Sequence, residues 1–208
     1  MKVWTVQRKR IVNEIIKGEI YYPDVEKSNY NFEMTELRKV YKYMLGCFNK
    51  NNETNYKGIG FVFYGYDSKD GVKPFENIEQ FKEKLNENRR NLRSLWKTLI
   101  SKDSVILELE YEDDFNPHII DLNDFQAIMP PIIKFQSYGG DVIPNIIKTL
   151  RKGEFPKSTL PSNIIQGHVP FISKKNIKNI YPVFKLKEVP IDTSINDITR
   201  SWQIQNWF

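Results

Sequence analysis

A chain of 208 residues, 40% hydrophobic and 13% aromatic, has enough apolar area to offset the entropy of ordering its backbone, which excludes a wholly disordered protein. Its longest apolar runs, Ile59–Phe63 and Ile128–Ile133, fall far short of the roughly 18 residues that cross a bilayer. The single cysteine, Cys47, excludes an intrachain disulfide framework, and a net charge of +5 is a weak push toward anionic partners. Arg8-Lys9-Arg10 interrupts the opening segment where a signal peptide would be apolar, so the expectation is a cytoplasmic protein with no membrane partner.

In chain order, Lys2–Gln7 sets Val3 and Thr5 against Trp4 and Val6, the alternation of a strand. From Gln7 the period changes: Ile11, Val12, Ile15 and Ile16 recur at helical spacing, and Lys17-Gly18 supplies a basic last turn and a helix-ending glycine. Ile20–Tyr22 before Pro23 reads as a brief extended piece. Leu37, Val40, Tyr41, Met44, Leu45 and Phe48 form an apolar stripe that predicts a helix over Met34–Asn49. Gly58–Tyr66 reads as a strand covered on both faces, with Gly60 and Gly65 marking a bulge or close backbone approach near each end.

Pro74 can open a helix, and Ile78, Phe81, Leu85, Leu92, Leu95, Trp96 and Leu99 continue a helical pattern as one helix or two. Ser104–Tyr111 is a strand with Val105, Leu107, Leu109 and Tyr111 facing one way and Ile106, Glu108 and Glu110 the other. His118–Ile120 is a further extended edge. Asp121 caps a short helix through Phe125, Ile128 and Met129, which Pro130-Pro131 ends. A helix at Val142–Lys152, a strand at Ile164–Val169, a helical turn at Lys174–Ile180 and a final central strand at Tyr181–Leu186 complete the order. These elements predict an α+β fold over residues 1–208: one compact domain with a central mixed sheet flanked by helices. Residues 187–208 form an aromatic C-terminal extension, and the alternation of Trp202, Ile204, Asn206 and Phe208 with Gln203, Gln205 and Trp207 is that of a strand.

Chemistry-bearing motifs are sparse. Gly139-Gly140 lacks the lysine and hydroxyl of a phosphate-binding loop, and Gly58, Gly60 and Gly65 do not fit a dinucleotide fingerprint. Two histidines, His118 and His168, lie too far apart in sequence for a short-spaced zinc motif, so no metal site is expected. His118 stands between Asp113-Asp114 and Asp121, which reads as an acid–base cluster or as a solvated acidic loop. Cys47 reads as a buried small hydrophobe, and Ser137, Ser158, Ser162 and Ser173 lack the elbow of a hydrolase serine. Arg8, Arg10, Arg89, Arg90 and Arg93 could converge through packing of the first and third helices into an anion-binding patch, or they are ordinary solvated helix faces. The acidic stretch Glu108–Asp114 argues against nucleic acid as the main ligand.

The segments Val3–Gln7, Tyr41–Met44, Val105–Glu110, Asp121–Gln126 and Ile165–His168 resemble, in order, the landmarks of the domain-of-unknown-function family 3841 of bacteria and their mobile elements. In that family the fourth segment resembles Ser-Asp-Phe-Asp-x-Trp-His and the last Gln-Ala-Thr-Phe-Trp, so Asp121 and Gln166 are the polar matches here. A looser resemblance is to ADP-ribosyltransferase-like folds, carried by Trp4-Thr5, the helix ending at Gly18, and Gln166–Pro170 ahead of Ile177–Ile180. That resemblance implies an NAD cofactor in a cleft lined by Trp4, Thr5, Gln7, Tyr64, Tyr66, Gln166 and His168. Gln166 is then the catalytic candidate, although an amide stands where that fold carries a glutamate and lacks its charge. The reading that follows is a non-catalytic binding protein of phage or mobile-element type, acting on a nucleotide, nucleic acid or host protein. It would be a monomer, or a weak homodimer through its C-terminal tail. An NAD-dependent transferase is the alternative.

Overall fold

β1 (Lys2–Arg8) runs through the middle of the molecule because both of its faces are apolar: Val3 and Trp4, adjacent in sequence and pointing opposite ways, are each 0% exposed. The computed structural model describes residues 1–27, 35–89, 91–92, 99–112, 115–128, 142–152, 154 and 161–184. After β1 come α1 (Lys9–Ile16), α2 (Thr35–Asn52), β2 (Gly60–Ser68), β3 (Gly71–Pro74) and α3 (Ile78–Glu87). β4 (Ser104–Glu110), β5 (Ile120–Asp121), α4 (Leu122–Ile128), α5 (Val142–Arg151), β6 (Ile164–Val169) and β7 (Ile177–Pro182) complete the order.

The strands form one sheet in the order β5-β6-β2-β1-β4-β7, with β3 as a hairpin partner of β2. The fold is therefore α+β, but the sheet is antiparallel in every described pairing and not mixed. Side-chain alternation is the same whichever way a strand runs, so strand direction is decided by the connections and leaves no mark on the sequence pattern.

Each face of the sheet carries its own core. On one, Trp4, Phe63, Ile106 and Ile164 pack against Phe81 and Leu85 of α3. Further along that face Phe61 and Ile120 meet Tyr41, Leu45 and Phe48 of α2, Phe125 and Ile128 of α4, and Leu150 of α5. On the other face Val3, Val62, Leu107, Leu109 and Val169 are covered by Val12 and Ile15 of α1 together with Tyr111 and Ile172. α1 ends at Lys17 and Gly18, whose φ of +106° is the left-handed turn that glycine permits.

Two elements differ from the sequence reading for identifiable reasons. Pro74 does not open a helix; it closes β3 opposite Gly65, and α3 starts after Asn77, whose side chain accepts from the Gln80 amide at 2.9 Å. Lys174–Ile180 is not a helical turn. Only Lys174–Asn176 is, and β7 follows at once, ending at Pro182 rather than running over 181–186. The deceptive feature was the spacing of Ile177 and Ile180. A register shift opposite Glu108 and Leu109 pairs Ile177 with Leu109 and Ile180 with Leu107, so residues three apart share one sheet face and imitate a helical period. Leu95, Trp96, Arg90, Arg93, Met129, Pro130-Pro131, Asp113-Asp114, Gly139-Gly140 and everything from Lys185 onward lie outside the described residues.

The bulge expected at Gly65 is present: the β2–β6 register shifts between Phe63 and Gly65. A Cβ at Gly65 would lie 2.1 Å from the Lys73 carbonyl oxygen, so this residue is what lets β3 fold back onto β2. Gly65→Ala should cost about 2–3 kcal/mol in urea unfolding, as expected for overpacking against backbone. Gly46→Ala, at an exposed position inside α2 where a Cβ meets nothing within 4 Å, should instead stabilise by about 0.5–1 kcal/mol.

Candidate functional site

Register alone aligns six residues edge to edge across the sheet: Asn179, Glu108, Trp4, Phe63, Gln166 and Ile120. Directly paired residues of antiparallel strands point to the same face, so this row lies entirely on the face covered by α2, α3, α4 and α5. His168, paired with Phe61, and Tyr66, packed in the Trp4 core, share that face. Thr5 and Gln7 do not, because they alternate with Trp4 and Val6, and Tyr64 packs with the core beneath α1. The expected NAD-lining set is thus divided by the sheet, and β2 stands between the strands of Thr5 and Gln166. Thr5 is 3% exposed; its hydroxyl donates to the Phe61 carbonyl at 3.3 Å and accepts from Gln7 Nε2 at 3.4 Å.

At the β7 end of the row Glu108 is buried and fully engaged. Lys2 Nζ lies 2.8 Å from Oε1, while Asn179 Nδ2 and the Tyr181 hydroxyl donate to Oε2 at 2.8 and 3.1 Å. Burial pushes the Glu108 carboxyl up, but these three donors outweigh it and hold it below the usual carboxylate range. Beside it the Trp4 indole is stacked between Phe81 and Tyr181, with ring centroids 5.1 and 5.9 Å away, and serves as core rather than as an open platform.

The β6 end is different. Gln166 and His168 are 4% and 2% exposed, and they sit side by side because residues two apart on a strand share a face. Gln166 Nε2 is buried with no hydrogen-bond partner among the described residues, and neither ring nitrogen of His168 makes a well-formed hydrogen bond there, although the backbone of Pro117 and His118 lies close to the imidazole and weakly favours its charged form. The imidazole is walled by Phe61, Phe125 and His118, at centroid distances of 5.3, 5.8 and 6.5 Å. Burial, and secondly the charge His118 would carry, push His168 from its ordinary 6.5 down to about 3, so it is neutral throughout the physiological range.

The cover over this pair is the segment before β5. His168 N donates to the Pro117 carbonyl at 2.7 Å, and His118 adopts a φ of +46°, unusual for a residue other than glycine. The segment is tied to the end of α2 through side chains: Asn52 Nδ2 donates to the Asn116 carbonyl at 3.2 Å and its Oδ1 accepts from the Asn116 amide at 2.6 Å. Asn51 Nδ2 lies 3.0 Å from His118 Nε2. The acid–base cluster imagined around His118 does not form with Asp121. That carboxylate accepts from the Asn123 and Asp124 amides, as the cap expected for α4, and from the amide and hydroxyl of Ser162. Among the described residues no group of three or more His, Cys, Asp or Glu could hold a metal ion. Cys47 is half-buried rather than buried.

Arg8 and Arg10 are exposed at the start of α1, whereas Arg89 is half-buried just beyond α3. α1 and α3 cover opposite faces of the sheet, so they do not pack on each other as the expected patch required, and Arg90 and Arg93 lie outside the described residues. Lys2, Asn51, Asn52, Asn179 and Tyr181 went unnoticed as site residues in the sequence; none stands in a motif, and only strand register and the α2 terminus reveal their partners. No family model, no curated protein and no solved structure matches the chain. Among the described residues no helix is long and apolar enough to cross a membrane.

The buried imidazole carries a pH signature. His168 titrates near 3 when folded and near 6.5 when unfolded, so the unfolded chain binds the proton first as pH falls. Its contribution is fully present above 6.5 and is lost toward 3, with a limiting slope of about 1.4 kcal/mol per pH unit. Burial lowers His118 as well, which adds to the same slope. Urea midpoints of the native chain should fall between pH 6.5 and 5, above the range where carboxylates respond. His168→Phe should remove the larger part of that fall, leaving the part due to His118.

Proposed function

We propose that this is a non-catalytic binding protein whose ligand is a nucleotide, with the base read by Gln166 and His168. The observation that carries this reading is the pair itself: neutral polar side chains buried side by side, with no well-formed hydrogen bond at Gln166 Nε2 or at either imidazole nitrogen, and flanked by aromatic rings. Each unpartnered buried polar group costs about 1–3 kcal/mol, which a planar ligand offering a hydrogen-bonding edge would recover. A nucleobase has such an edge and a face that suits Phe61 and Phe125. The segment over the site is held by the side chains of Asn51 and Asn52, by the Pro117 carbonyl, by Phe115 and His118 packed on Phe48, and by the two-residue β5, so ligand access requires these contacts to open.

Glu108 and Asp121, the carboxylates best placed by burial, are occupied by structural partners, and the reading gives them no part in bond making. The placing of α1 and α3 on opposite sheet faces lends no support to a shared basic face for nucleic acid, and the separation of Thr5 from Gln166 argues against the NAD-transferase reading. Assignment to a cytosolic protein of phage or mobile-element type rests on composition and on the family resemblance. A host protein remains the other partner class for the same fold.

Calorimetric titration with ATP, GTP, CTP, UTP and NAD tests the proposal. One base should be preferred, its nucleoside alone should retain most of the affinity, and the ligand should be recovered intact. Gln166→Leu and His168→Leu should each weaken binding about tenfold, the value of roughly one hydrogen bond. Absence of binding at millimolar concentration, or binding indifferent to both substitutions, would remove the nucleotide; accumulation of a reaction product would remove the non-catalytic reading.

A further inference from the structure

The sheet ends in two unlike edges. β5 is two residues long, while β7 runs for six and has three consecutive exposed residues, Lys178, Asn179 and Ile180. Its inner edge is paired with β4, and no described strand lies on its outer edge. The devices that usually blunt an edge stand at its two ends, the bulge at Lys178, whose ammonium pairs with Glu110 at 2.9 Å, and Pro182 at the last position, and leave Asn179–Tyr181 between them. Ile180 is 43% exposed on the α1 face, where register pairs it with Leu107. Asn179 and Tyr181 point to the opposite face, beside Glu108.

We infer that the outer edge of β7 is a strand-addition site whose occupant is this chain's own C-terminal segment, residues 201–208. Two observations select it. Trp202, Ile204, Asn206 and Phe208 alternate with Gln203, Gln205 and Trp207, so one face of the added strand offers Trp202 and Ile204 to Ile180 and the other offers the Gln203 and Gln205 amides to Asn179 and Tyr181, with Asn206 and Trp207 beyond them. The chain also leaves the described fold at Phe184, whose amide donates to the Leu99 carbonyl at 3.1 Å, only two residues after β7 ends. Residues 185–200 can span up to about 50 Å, more than enough to return along a strand of roughly 20 Å. The inference is independent of the nucleotide site, since β7 and β6 lie on opposite sides of the sheet centre.

Hydrogen exchange on the full chain and on a 1–200 truncation tests it, with β6 amides as an internal measure of folding. Truncation should speed exchange of the residue 178–181 amides at least tenfold, leave β6 unchanged and leave the mass by light scattering monomeric. A synthetic peptide of residues 201–208 added to the truncated protein should restore protection. In the full chain, Trp202→Ser with Ile204→Ser should reproduce the truncation, whereas Gln203→Ser with Gln205→Ser should have a smaller effect. Unchanged β7 exchange on truncation and in the Trp202→Ser, Ile204→Ser double variant would overturn the inference. So would a dimeric full chain that truncation dissociates, because the occupant is then a second copy. If truncation also exposes β6, the double variant decides the matter in place of the truncation.

Discussion

The molecule is organised by the double burial of β1. This strand pairs with β4 over its whole length, from Lys2 opposite Glu110 to Arg8 opposite Ser104, and with β2 on its other side through Trp4 and Phe63. A strand in that position must supply apolar side chains to two cores, and Val3 and Trp4 do so. Both flanking strands then inherit a fixed register, and through them so do β6 and β7. Gln166 lies in line with Glu108 because each is counted from Trp4.

The same constraint decides which residues can act together. Neighbours along a strand face opposite sides, so Trp4 and Thr5, which look like one motif in the sequence, belong to different cores. Residues distant in the chain share an environment instead: Lys2, Glu108, Asn179 and Tyr181 at one end of the row, Asn51, His118, Gln166 and His168 at the other. A resemblance built on short sequence landmarks is blind to this parity.

The two ends of the row treat burial differently. Glu108 keeps its charge because an ammonium, an amide and a phenol converge on it, and desolvation is outweighed. His168 has no such partners and stays neutral, beside a glutamine whose amide is likewise unengaged. In a close-packed interior, polar atoms left without partners are exceptional and mark a place where something other than fold stability has shaped the residues. Trp4 Nε1 is also buried without a partner, so the contrast lies in the adjacent pair Gln166 and His168 among aromatic rings, which makes the β6 end the functional candidate, while Glu108 with its three donors is a structural brace.

Apolar periodicity by itself determined the α+β class, α1 with its glycine stop, most of α2, α5, the strands β1, β2, β4 and β6, and the cap at Asp121. These are local properties, set by 3.6-residue and two-residue repeats and by capping chemistry that operate within a few residues. Tertiary structure alone decided that every described pairing is antiparallel, that Pro74 ends a hairpin and that β7 is a strand whose bulge disguises it as a helix. It also decided that α1 and α3 cover opposite faces of the sheet. Strand direction, register shifts and the face a helix covers depend on pairing between residues tens of positions apart. Gln166 and His168 were legible as polar residues on a strand, but their isolation among Phe61, Phe125 and His118 came only from the packing of α4 and the segment before β5 against β6.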